Sequence, residues 1–320
     1  MFNFLHSIFG SDDTTGNYPD SLVKAAIERA VDGTDPWIRA VSGYKKKLRP
    51  AVIRAIDHVV ALVDGIAPPI EVEFGGDNID PRLHTFFISS ADMRKILAAD
   101  RTLADFKRKQ AVALPRVVAL LAMEKRENII LGAELSGDVV QHGVPQVTVS
   151  FETHHLFDPM PSEAETRRHL KRRAFDHLLA LALRRITIVK EEREELEGYR
   201  ALLQSKLNLL KRGNWGFDKT DGDEHLDAAG IEEKLGRIEA QLLEFGGDDR
   251  MLDVYLGIVT DVLSRPGQHL WASRETLIID HMGIKRSRDN SDAPEVTLDL
   301  ISNDEGLNLV VQLVAIIGDI

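Results

Sequence analysis

Between Ser162 and Gly213 the chain carries no proline and one glycine, Gly198. Ser162-Glu163-Ala164-Glu165 opens this stretch with serine at the cap and glutamate three residues on, a capping box, and Gly213 supplies a stop. The residues between read as helix, with Gly198 as the one place for a bend. At 1.5 Å per residue fifty residues would span about 75 Å.

The second half of this helix repeats Leu196, Leu203 and Leu210 at sevenfold spacing. Downstream, Ile231, Leu235, Ile238, Leu242 and Phe245 recur at steps of four, three, four and three. Alternating three and four is the spacing of a coiled-coil seam. About two heptads make a helical hairpin rather than a long rod, so residues 162–265 are expected to form an inserted helical arm. Leu196, Leu203, Leu210, Ile231, Ile238 and Phe245 are its candidate partner-binding residues.

The segments on either side differ in texture. After a polar linker, residues 19–126 carry repeated helix starts at Pro19, Asp35-Pro36, Asp80-Pro81, Ser90 and Thr102, and read as almost wholly helical, with Pro115 dividing the last helix. Asn128–Ser136 and Pro145–Thr153 are rich in β-branched and aliphatic residues around Gly137 and Gly143, which predicts a hairpin. Glu275–Ile284, Glu295–Ile301 and Leu307–Ile317 are three further strands. An isolated hairpin is marginal in water, so the economical arrangement joins it to the C-terminal strands. The expected fold is α+β: a helical N-terminal region (19–126), a small, mostly antiparallel sheet (127–161 with 266–320), and the arm between its strands. Residues 1–18 form an apolar tip and linker.

Composition narrows the function. At 43% hydrophobic and 28% charged residues, the chain can bury a sizeable core and is no disordered polymer. Cysteine is absent, which removes disulfides, thiol catalysis and thiolate-bound zinc. No run of eighteen apolar residues exists, so no transmembrane helix is expected. The N-terminus lacks the basic flank of a secretory signal, and a cytoplasmic location follows as the default. The net charge of −11 is uneven, with residues 1–190 at +2 and the remainder at −13.

Candidate chemistry is sparse. Arg54-Ala55-Ile56-Asp57-His58 is echoed by Arg173-Ala174-Phe175-Asp176-His177, both on expected helices. Packed face to face, Asp57, His58, Asp176 and His177 could bind a divalent metal and support hydrolysis; separately, they are ordinary polar helix positions. His154, His155 and Asp158 form the densest alternative ligand cluster, but a continuous strand would send the two histidines to opposite faces. Asp218, Asp221, Asp223 and Glu224 miss the calcium-loop spacing. No phosphate-loop, zinc-protease, nucleophile-elbow or dinucleotide motif occurs, and no cofactor is implied.

Lys45, Lys46 and Lys47, and separately Arg168, Lys171 and Arg172, are candidate anion or phosphate contacts through which nucleic acid could bind. Phe2, Leu5 and Phe9 share one face of the N-terminal tip, which suits partner docking or weak peripheral membrane contact. These features favour a non-enzymatic interaction or assembly protein, binding another protein or a second copy of itself. A metal-dependent enzyme and a nucleic-acid binder are the alternatives.

Overall fold

The computed structural model describes residues 18–73, 80–110, 114–136, 139–212, 228–244, 250–280, 282–286 and 293–318. The described residues form helices α1 (Asp20–Asp32), α2 (Tyr44–Asp64), α3 (Pro81–Phe86), α4 (Ser90–Ala99), α5 (Arg101–Lys109), α6 (Glu163–Arg212), α7 (Ala228–Glu244) and α8 (Met251–Ser264). The strands are β1 (Ile70–Glu73), β2 (Arg116–Ser136), β3 (Val139–Met160), β4 (Leu270–Ile278), β5 (Glu295–Asn303) and β6 (Asn308–Ile317). The fold is α+β, as expected. Phe2, Leu5, Phe9, Phe245 and the acidic residues 218–224 lie outside the described residues.

The chain divides into two compact units. One holds residues 56–175 and 266–320 and contains the whole sheet; the other holds residues 13–55 and 176–265 and is helical. These boundaries differ from the segments drawn on the sequence: residues 56–126 join the sheet, and α1 joins the helical unit. Two of the crossings between units fall inside helices, within α2 and within α6, and a third follows α8 at Arg265.

In the sheet unit the strand order is β3-β2-β6-β5-β4, antiparallel throughout, and β1 adds to β6 in parallel. The hairpin β2–β3 joins the C-terminal strands directly, with Arg116–Met123 running beside Val310–Ile317. After β4, Lys285 bridges back to Ile279 and Ile284 bridges to Thr148 of β3, so the chain leaving one outer strand of the sheet reaches the other. The core gathers Leu121 and Met123 from β2, Phe151 from β3 and Leu298 from β5. Against them pack Leu83, Phe86, Met93 and Leu97 of the small helices α3 and α4. Phe86 meets the Phe151 ring edge-on at 5.3 Å.

Residues 116–126 correct the reading of 19–126 as helical. Val117-Val118-Ala119-Leu120-Leu121-Ala122-Met123 is uniformly buried, because this stretch lies between β3 and β6 with both faces covered. A strand in that setting loses its alternation and becomes a continuous apolar run, which periodicity cannot separate from a buried helix. Pro115 precedes β2 rather than dividing a helix. Ile70–Glu73, inside the stretch read as almost wholly helical, is a strand with alternating burial. Pro145 sits inside β3 opposite Leu131, a place open to it because β3 is an edge strand.

Helix ends follow capping chemistry, at times a residue or two from the expected position. Ser89, not Ser90, accepts the Asp92 amide (3.1 Å), and Asp100, not Thr102, accepts that of Leu103 (2.9 Å). The other Asp100 oxygen accepts the Leu156 amide of β3 at 3.1 Å, so one carboxylate starts α5 and satisfies a strand amide. Asp35 caps a short 3₁₀ turn at Pro36–Ala40, where a full helix was expected.

At the start of α6 the Glu165 amide bonds Ser162 Oγ at 3.3 Å, as the capping box requires. Thr166 donates to Val118 O (2.8 Å), and Arg167 donates to Val63 O and Ile66 O (2.6 and 3.0 Å) near the end of α2. The helix then continues for 50 residues, and Gly198 does not interrupt it.

In the helical unit α1 buries Leu22, Val23, Ala26, Ile27, Ala30 and Val31 on one face. At the end of α1, a Cβ on Gly33 would stand 3.1 Å from Leu179 of α6. Glycine therefore lets the end of α1 lie close against α6. Lys190 of α6 reaches the nearly inaccessible Asp35 carboxylate at 2.7 Å, and its ammonium lies 4.9 Å from the centre of the Tyr255 ring.

Candidate interaction surfaces

The apolar positions of the arm pack as one cluster inside the helical unit: Leu203, Leu207, Ile231, Leu235 and Ile238, with Leu196 and Leu242 at its margin. Leu207, not Leu210, completes the row on α6; Leu207 is 4% exposed and Leu210 45%. A straight helix has 3.6 residues per turn, so a strict seven-residue count drifts off its face, and the row advances from Leu203 by four residues to Leu207 rather than by seven to Leu210. Leu196, Leu203, Ile231 and Ile238 are thus spent within the chain.

What α6 presents outward is the neighbouring row. Leu202 and Leu209 are 64% and 70% exposed, with the half-exposed Tyr199 and Leu210 between them and the buried face. The apolar arc of α6 is wider than α7 covers. The sequence did show these leucines, but the heptad template drew attention to the covered positions.

The basic runs lie in different units. In the helical unit Lys45 pairs with Glu28 (2.9 Å) and Lys47 with Asp253 (3.0 Å), while Lys46 is exposed. Tyr44 and Arg39 also donate to Glu28. The Lys45 hydrogen bond leads in holding the Glu28 carboxyl well below its usual range, at about 2, against the opposing effect of burial. A groove of about 450 Å³ beside Lys47 is lined by Asp253, Leu256, Gly257, Thr260, Asp261 and Ser264 of α8. In the sheet unit Lys171 pairs with Asp64 (2.8 Å), and Arg168 and Arg172 also have partners. Both runs thus carry ion pairs with nearby acids on neighbouring helices.

The two Asp-His pairs are also divided between the units. In the sheet unit His58 donates from Nε2 to Leu270 O at 2.7 Å. In the helical unit Asp176 is held by the Arg29 guanidinium through both carboxylate oxygens. Asp57 and His177 are likewise engaged. Among the described residues no group of three or more His, Asp or Glu stands close enough to hold a metal ion. His154 points inward, bonding Phe86 O (2.8 Å) and stacking on Phe87, whereas His155 is exposed. Asp158 receives both Arg173 nitrogens at 2.8 Å.

A depression of about 360 Å³ beside Gly65 and Arg274 is also committed to structure. Arg274 donates to Gly65 O and Asp299 (both 2.8 Å), and Asp299 accepts the Ala67 amide (2.9 Å).

The second exposed apolar surface belongs to the sheet unit. The β2–β3 ribbon continues past the end of the β2–β6 pairing at Met123, and near its far end Ile129 and Leu131 are each 77% exposed. Ile130 is exposed as well, on the opposite face. At the base of this extension Lys125 donates to Glu127 and to both oxygens of Glu275. Burial pulls its pKa down, but these acceptors outweigh it and leave the ammonium's pKa raised. At the far end Gln146 crosses over Gly132 to donate to Ala133 O at 3.0 Å; a Cβ on Gly132 would stand 2.0 Å from its Oε1. The β-branched residues and glycines of this hairpin signal its fold in the sequence, and nothing in their local pattern signals its exposure.

The chain matches no family model, and no curated protein or solved structure matches it significantly.

Proposed function

We propose that this chain is a cytoplasmic, non-enzymatic interaction or assembly protein. Its helical arm, closed by a short coiled-coil seam, receives an amphipathic helix of another protein. The observation that carries this reading is the uncovered apolar row Tyr199, Leu202 and Leu209 beside the α6–α7 seam. Scattered exposed leucines are normal on any surface. These lie three and seven residues apart on one side of a helix whose adjacent face is already held by α7. A second amphipathic helix laid there extends the same ridge-and-groove packing to three helices. No described helix is long and apolar enough to cross a membrane, which is compatible with this role.

The test places a photo-cross-linking residue at Leu202 or Leu209, and at Gln204 or Asn208 on the other side of α6 as controls, in the full chain in cells. The expected result is one defined protein adduct from the first pair, absent from the controls and lost on Tyr199→Glu, with the helical content unchanged. Equal labelling from both sides of the helix, or none from the row, overturns the proposal.

A further inference from the structure

We propose that the outer edge of β2 pairs with the same edge of a second copy of this chain, as an antiparallel two-fold centred on Ile130. Among the described strand pairings, β2 beyond Met123 is bonded on one side only: β3 accompanies it to Ser136, while β6 stops at the Met123–Val310 pair. The backbone N–H and C=O groups along such an edge will take another strand unless something blunts it.

The opposite edge of the ribbon is blunted. The register shifts at Val118/Leu120, Ala122/Glu124 and Gly132/Ala133 each place the extra residue in β3. The three residues of β3 with positive φ fall at these points: Asp158 at 48°, Thr153 at 56° and Gly143 at 76°. Bulges bend the strand that contains them and break its ladder. The segment after β4 also covers β3, with Lys285 N donating to Val147 O (2.8 Å) and Val149 N to Gly283 O (2.7 Å). On β2 no residue is inserted, and Asn128 to Ala133 carries no charge.

The order of residues along β2 makes this edge self-complementary. A two-fold through Ile130 sets Ile130 against its own copy, Ile129 against Leu131, and Arg126 against position Glu134, each contact made twice. Moving the axis back to Ile129 sets Glu124 against Glu134, a like-charge clash. Moving it on to Leu131 loses the Arg–Glu match. Opposite charges and apolar pairs directly across two strands stabilise the pairing, and like charges oppose it. The edge is short for an interface, so association in the micromolar range is expected.

The absence of cysteine makes the test clean. In the full chain under mild oxidation, Ile130→Cys should form a covalent dimer at least about tenfold faster than Asn128→Cys, since only residues brought directly opposite meet disulfide geometry. Sedimentation of the unmodified chain should show a concentration-dependent dimer that Ile129→Lys with Leu131→Lys returns to monomer. Both residues are exposed, so folding is retained. Equal oxidation rates, or a monomer at every concentration, overturn the pairing and leave the α6 docking proposal standing. A dimer that survives the double lysine variant overturns it too, by showing that the copies join elsewhere.

Discussion

His154 shows how a residue that looks like chemistry becomes structure. Burial is the main force on it and pushes its pKa below the ordinary value, with the Phe86 carbonyl pulling the other way. The unfolded chain takes up this proton as pH falls through about 6.5, and the folded chain resists it. Stability contributed here is full above that pH and falls as the solution is acidified. His154→Gln should therefore lose less thermal stability than the parent chain between pH 7 and 5.5. Equal losses in differential scanning calorimetry would show that the site titrates normally. The sequence placed His154 and His155 on opposite faces of a strand, and that was legible because alternation is a property of the backbone. That a carbonyl of α3 and the Phe87 ring would meet the inward histidine was not legible. Nor were the left-handed conformations of Thr153 and Asp158, since neither residue type announces a bulge.

At the scale of elements, capping and periodicity were read correctly where the chain's own neighbours decide them. α6 begins at Ser162, whose hydroxyl accepts the Glu165 amide, and α7 buries Ile231, Leu235 and Ile238 at the spacing the sequence displays. Leu207 tests the corrected seam. Leu207→Ala should cost about 2–4 kcal/mol in denaturant unfolding because it empties a packed position. Leu210→Ala should cost well under that, about 0.5 kcal/mol, because that side chain is already half-exposed. The reverse order would restore the strict heptad. β2 was misread at its first half for the opposite reason. Ala119, Leu120, Leu121, Ala122 and Met123 favour helix locally, and the ladder to β6 on one side and β3 on the other outweighs that preference.

Across the whole molecule, charge sets the terms on which copies meet. Each chain carries −11, so two copies repel at long range while the β2 edges attract at contact. Raising salt from about 20 to about 300 mM shortens the screening length to well under 10 Å and should strengthen self-association measured by sedimentation. A dimer weakened by salt would instead place ion pairs in command of the interface.

The amino-acid order by itself determined the α+β class, the hairpin, the C-terminal strands and the fifty-residue helix, because periodicity, caps and turn residues act within a few residues of themselves. Only the tertiary structure decided that β2 is a central strand at one end and an uncovered edge at the other, and which leucines of α6 stay in solvent. Both depend on which distant segment arrives to cover a surface, and no local pattern carries that information.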